Sequence, residues 1–225
     1  QLRTGQVAVE LFDALAPDHV DRVRTLTRAG AYDGVAFHRV FPGFIAQSGD
    51  VEFGRIGEGY DASRVGTGDS ELPDLALEPN PLPFVRGIVG MARALSPDTA
   101  NSQFFVVKDT SPFLNAFDEN GALRVDSDTG LPLGYTAFGV VLDGMDHVDG
   151  LKTGSAVNNG LVDGTPDWIL GADILADLTF PFDGYGFGGK VFLVEGFGED
   201  GVDWSGTRVT FLSELVQGDL SFVEG

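Results

Sequence analysis

The chain has 225 residues, 43% of them apolar, which suffices for one sizeable core with an appendage and falls short of two full domains. Its 34 acidic against 14 basic side chains give a net charge of −20, which repels phosphate backbones, argues against a nucleic-acid partner and favours neutral or cationic ones. The absence of cysteine excludes disulfides, thiolate metal sites and cysteine nucleophiles, and no apolar run reaches the roughly 18 to 20 residues of a spanning helix, so no membrane insertion is expected. Nothing resembles a signal peptide, and the start at Gln1, almost inside the first strand, suits a processed exported protein and a trimmed chain equally; a periplasmic or otherwise exported location is expected slightly ahead of a cytoplasmic one.

In chain order, Val7, Val9 and Leu11 alternate with Ala8 and Glu10, which predicts a strand with one buried face. Pro17-Asp18 opens a segment with Val20, Val23 and Leu26 at near-helical spacing, closed by Gly30: an amphipathic helix lying on a sheet. Short β-prone runs follow at 35–37, 44–47, 88–92, 103–107 and 136–142, separated by Gly, Pro and Asp clusters. Met145, Val148 and Leu151 predict a second helix, and 165–174 a closing strand. Residues 179–225 form a Gly-rich tail whose β-prone runs, 190–195 and 207–212, read as an added hairpin with Phe192, Val194, Val209 and Phe211 on its apolar face. Many short strands with two helices suggest a closed β barrel capped at its ends.

The most informative stretch is Phe37-His38-Arg39-Val40-Phe41-Pro42-Gly43-Phe44-Ile45-Ala46-Gln47-Ser48-Gly49-Asp50, where a fixed cation and a glutamine sit among large apolar side chains. With Gly90-Met91-Ala92 and Asn101-Ser102-Gln103-Phe104-Phe105 downstream, the chain closely resembles the cyclophilins, peptidyl-prolyl cis/trans isomerases. The likeness is good over residues 1–153 and weaker to about 178. It implies a mainly β fold, a closed eight-stranded antiparallel barrel capped by two helices, spanning residues 1–178; the β-rich extension 179–225 lies beyond the resemblance. Residues 116–134 stand as a polar insert where the family has a very short connection.

Rotation about an X-Pro bond needs no nucleophile, metal or cofactor; it needs the amide resonance weakened, because that resonance sets a barrier of about 18 to 20 kcal/mol. A donor aimed at the prolyl nitrogen favours the twisted state over the planar one. Arg39 is the candidate, and the resemblance implies that it polarises the prolyl amide while Gln47 orients it. It also implies that Phe44, Ile45, Phe105, Phe113 and Leu114 hold the proline ring. Gln103 and the backbone around Ala92 and Arg93 would bind the substrate chain.

Three departures stand out. Arg93 replaces the usual asparagine and leads into a longer turn, Phe113 replaces an indole and predicts weak cyclosporin sensitivity, and Tyr135 aligns with a pocket histidine. His38 reads as structural, the Asp126-Ser127-Asp128-Thr129-Gly130 run as a solvated loop rather than a calcium site, and Gly186-Phe187-Gly188-Gly189 as no phosphate loop. The expected function is isomerisation of proline-containing client chains. The competing one is a non-catalytic module docked in a larger assembly through the insert and residues 179–225.

Overall fold

The structure, a computed structural model, describes residues 5–57 and 59–174, and beyond them only the strand backbone of 175, 180–182, 185–187, 190–197 and 208–213. Strand β1 (Val7–Leu11) buries Val7, Val9 and Leu11 as its alternation requires. Helix α1 (Pro17–Arg28) carries proline in its first turn and buries Val20, Val23 and Leu26. Its N-cap, Ala16, supplies no capping side chain; instead the Glu78 carboxylate accepts the backbone N–H groups of Asp18 (3.2 Å) and His19 (3.0 Å) and the Nδ1–H of His19 (2.5 Å). A carboxylate there satisfies orphan donors and complements the helix dipole.

Strands β2 (Arg39–Val40), β3 (Ile45–Ser48), β4 (Ile88–Met91), β5 (Phe104–Val107) and β6 (Ala137–Asp143) follow, then α2 (Met145–Gly150) and β7 (Ile169–Leu175). Beyond these lie β8 (Phe180–Phe182), β9 (Tyr185–Phe187), β10 (Lys190–Phe197) and β11 (Arg208–Ser213). One side of the sheet packs on α1 through Val9, Val20, Val23, Val89, Phe104 and Phe138. A second apolar cluster, around Ile45, Phe84, Phe105 and Leu114, underlies the candidate site.

The closed eight-stranded antiparallel barrel does not form. Seven strands precede residue 176, and the main sheet runs β2-β3-β5-β4-β6-β1-β11-β10-β7, open at both ends. Backbone of the tail stands between β1 and β7: β10 pairs antiparallel with β1, β11 and β7, while β11 meets β1 in parallel. The tail thus takes the hydrogen bonds that β1 and β7 would exchange in a ring. At the other end β2 is two residues long and forms one isolated bridge to the chain leading into β7, Arg39 with Leu161, while Ala36 just before it bridges Trp168. The predicted run 35–37 is likewise held by single bridges rather than a ladder.

The tail runs do pair as a hairpin, Phe192 opposite Phe211, but the side chains of Phe192, Val194, Val209 and Phe211, and the boundary near 178, lie outside the described residues. The insert folds back on itself in two tight turns. Asp118 accepts the N–H groups of Asn120 and Ala122, and Asp126 those of Asp128 and Thr129, so both carboxylates serve as turn caps. Among the described residues no helix is long and apolar enough to cross a membrane.

Candidate active site

Sheet register assembles the site. Arg39 stands opposite Gln47, Gln47 opposite Phe105, and Phe105 opposite Gly90, so residues far apart in sequence form one row across four strands. Cross-strand partners point to the same face, and the intervening Val40, Ala46, Val106 and Val89 point into the core. Strand period alone therefore places the cation, the glutamine and the aromatic ring on one surface.

A directed chain of hydrogen bonds fixes that row. The Gln103 Nε2 group donates to the Gly68 carbonyl (2.9 Å), and its Oε1 accepts Gln47 Nε2 (2.9 Å). Gln47 Oε1 then accepts Arg39 Nη1 (3.0 Å). The far edge of the guanidinium is held by Asn159, whose carbonyl accepts Nε–H (2.9 Å) and whose Oδ1 accepts Nη2–H (3.2 Å). The root of the chain is Asp50, fully buried, which accepts backbone N–H groups of Glu52, Phe53, Gly66 and Gly68 and so shapes the loop carrying Gly68. Burial lowers the Arg39 pKa from its ordinary value, opposed by Tyr135, and arginine remains a cation at neutral pH. The Phe41 ring lies 5.1 Å from the guanidinium carbon.

Beside Arg39 the apolar side chains named from the sequence converge. Phe44 and Phe113 stack at 5.2 Å between centroids, and Tyr135 meets Phe105 edge-on at 5.5 Å. Ile45, Phe105 and Leu114 are buried, whereas Phe113 is 59% exposed on the short 3-10 turn Pro112–Leu114 and forms the rim. Phe84, which sequence reasoning missed, supports the floor with its ring 5.7 Å from Phe105. The two rings close over Gly90, where a Cβ would lie 2.5 Å from Phe105 and 2.6 Å from Phe84. Gly90→Ala is therefore expected to displace Phe105 and cost about 1 to 3 kcal/mol of stability by overpacking, together with at least a fivefold loss of peptide affinity. Urea unfolding and peptide titration check it; a variant equal to the parent in both would show that the floor tolerates a methyl group.

Gln103 has both ends of its amide engaged within the protein, and the Ala92 N–H donates to the Gln103 carbonyl (2.8 Å). The Arg93 side chain turns away from the row. Its Nε and Nη2 donate to the Gly134 carbonyl (3.0 and 2.8 Å), Nη1 donates to Ala94 and Leu95 carbonyls, and the guanidinium lies 4.7 Å over the Tyr135 ring. Arg93 thus ties the 93–96 turn to the end of the insert and to a pocket wall. On the opposite side Arg124 donates to the carbonyls of Phe113 (3.0 Å) and Asn115 (2.7 Å), clamping the insert to the rim. Arg93→Ala is expected to weaken peptide binding about three- to tenfold with little change in maximal turnover. Exchange NMR over a peptide titration separates the two, and a change confined to turnover would contradict the assignment.

A cavity of about 450 Å³ opens beside Gln47, Gln103, Ala92 and Arg93, and Asp69 and Asp74 line its far wall. Burial and the neighbouring carboxylates Asp74, Asp50 and Glu52 raise the Asp69 pKa. His38 is buried (1% exposed) below β2, and among the described residues no group of three or more His, Asp or Glu is arranged to hold a metal.

This arrangement, a clamped arginine beside an aromatic ring pocket, agrees with what comparison to known proteins finds. The family model for cyclophilin type peptidyl-prolyl cis-trans isomerase/CLD matches residues 1–167. The chain belongs to the cyclophilins. It is 51% identical over 177 residues to a probable peptidyl-prolyl cis-trans isomerase of Brucella suis biovar 1, covering 79% of this chain and 81% of that protein. A cyclophilin type peptidyl-prolyl cis-trans isomerase of Cryptosporidium parvum, crystallised in the presence of the dipeptide Ala-Pro, superposes with a TM-score of 0.52 at 27% identity, covering 70% of this chain and 85% of that one. A cyclophilin from Hirschia baltica shares the fold over 95% of this chain and 90% of its own, with a TM-score of 0.57 at 22% identity.

This cyclophilin departs from the sequence reading at one polar position above all. Asn159 contributes two of the three hydrogen bonds on Arg39, and its only signal in the sequence is the Asn158-Asn159-Gly160 turn. Asn159 is also the one non-glycine residue with positive φ (51°) among those described.

Proposed function

We propose that this cyclophilin catalyses X-Pro isomerisation by seating the proline ring between Phe44, Phe105, Phe113 and Leu114 and presenting Arg39 to the prolyl nitrogen. The observation that carries this reading is the fixed Arg39 guanidinium, held by Gln47 and Asn159 at the edge of an apolar pocket. An arginine has five N–H groups; three are engaged here, which leaves one on each terminal nitrogen for the substrate. In the planar amide the prolyl lone pair is delocalised and accepts little. As the bond twists, the lone pair localises on nitrogen, and a donor already in place gains strength without reorganisation. No proton is transferred and no covalent intermediate forms.

The client chain passes on through the cavity beside Gln47 and Gln103, past Asp69 and Asp74. Clients are proline-containing polypeptides with neutral or cationic flanks, in keeping with the net charge of −20. A protease-coupled isomerisation assay of the full chain on a short Ala-Pro peptide tests the reading. A rate clearly above the thermal background is expected; a folded chain that adds nothing to that background would refute it.

A further inference from the structure

Arg39 sits on a two-residue strand at the edge of the sheet, half-exposed, with a long side chain that would otherwise sample many rotamers. Gln47 restrains only one terminal nitrogen. The remaining restraint comes from the loop 155–160, which is built to deliver it. Asn158 and Gly160 donate their N–H groups to the Ser155 carbonyl (3.2 and 2.8 Å), and Asn159 donates to Ala156 (3.3 Å), closing the loop on itself. The loop is then fastened to β2: the Val40 N–H donates to the Gly160 carbonyl (2.8 Å), and Arg39 bridges Leu161.

Its tip needs a left-handed backbone. Asn159 has φ 51°, a region that asparagine enters more readily than most residues and that β-branched residues avoid. In that conformation its own carbonyl and its side-chain Oδ1 both reach Arg39, one to Nε–H and one to Nη2–H. Gly160 follows at φ +74°, and a Cβ there would fall 2.4 Å from the Phe41 ring. Phe41 therefore packs closely against the loop, beneath the guanidinium, whose carbon lies 5.1 Å from the ring centroid. The turn consequently reads as a two-pronged acceptor with an aromatic rest below it.

We propose that Asn159 is the positioning residue that sets the direction of the two free N–H groups of Arg39, so that the 155–160 turn governs turnover rather than peptide affinity. This rests on Arg39 being the cation that acts on the prolyl nitrogen. Two acceptors on the Nε/Nη2 edge fix the plane of the guanidinium, whereas Gln47 alone leaves it free to rotate about the Nη1 contact. A donor aimed off the prolyl nitrogen still tolerates the ring in its pocket, but it no longer gains on the twisted state.

Asn159→Gly separates the prongs, because glycine adopts positive φ without strain, keeps the backbone carbonyl and, of the two acceptors on Arg39, loses Oδ1 with the side chain. Exchange NMR on an Ala-Pro peptide at several concentrations gives turnover and affinity separately. For the full chain carrying Asn159→Gly, kcat is expected to fall about tenfold, with KM within about twofold and Tm unchanged within a few degrees. The Arg39 side-chain Nε–H signal is expected to exchange faster with water. Asn159→Asp restores the acceptor, so the Nε–H signal should recover its protection along with part of kcat. An Asn159→Gly variant with parental kcat, or one whose loss of turnover is matched by loss of Tm, overturns the positioning role. Arg39→Ala is measured alongside: if that variant keeps its turnover, the assignment of Arg39 itself has failed, whereas a dead Arg39→Ala with a parental Asn159→Gly rejects only the inference about the turn.

Discussion

Arg39→Ala is expected to lower kcat/KM for an Ala-Pro peptide by two to three orders of magnitude, the range lost when one preorganised donor is removed from a developing charge. The fold should survive. Arg39 is half-exposed, and its removal leaves Gln47 still bonded to Gln103 and Asn159 open to water, so Tm should move by only a few degrees. Arg39→Lys is the informative companion. It keeps the charge and loses the fork, so it can no longer satisfy both prongs of Asn159 and the Gln47 carbonyl together. Activity between parent and Ala variant is expected. Parental turnover in Arg39→Ala, measured on protein shown to be folded, would move the chemistry elsewhere.

The second large effect concerns acid. Burial depresses the His38 imidazole pKa to about 4, against the opposing attraction of Asp50. An unfolded histidine titrates near pH 6.5, so between about pH 6.5 and 4 the unfolded chain binds a proton that the folded chain does not. Stability therefore falls as pH drops through this window and levels off below it, a loss on the order of 3 kcal/mol from this group. His19 adds to it in the same direction, since burial lowers its pKa despite the hydrogen bond to Glu78. Urea unfolding of the parent and of His38→Gln between pH 7.5 and 4 isolates the term, because carboxylates titrate in both proteins and His38 in only one. A shallower slope for His38→Gln is expected, and equal slopes would show that the imidazole takes up a proton in the folded state. Turnover should stay flat across the neutral range, since Arg39 remains charged there.

The elements of the core were legible because their periods are clean. The alternation in β1 and the Val20, Val23, Leu26 stripe of α1 gave the correct faces, and β3 to β6 lie within one residue of the β-prone runs at each end. The candidate row was legible through Arg39, Gln47 and Phe105, since residue types and strand period together fix one face. Barrel closure was not. Whether β7 reaches β1 depends on which backbone fills the space between them, and nothing local in 190–197 or 208–213 says that these strands enter there. The internal anchoring of Gln103 was not legible either, since the loop organised by Asp50 presents the Gly68 carbonyl to it and that loop has no periodic signal. Asn159 was missed for a similar reason: its role depends on a left-handed φ and on a contact with a residue far away in sequence.

The most direct measurement is a crystal structure of the full chain with an Ala-Pro peptide bound. Catalysis at Arg39 requires the proline ring between Phe44, Phe105 and Phe113, with a terminal nitrogen of Arg39 within about 3.5 Å of the prolyl nitrogen and the bonds to Gln47 and Asn159 intact. A peptide seated in that pocket with the guanidinium turned away from the prolyl nitrogen, or a proline held elsewhere on the molecule, would contradict it.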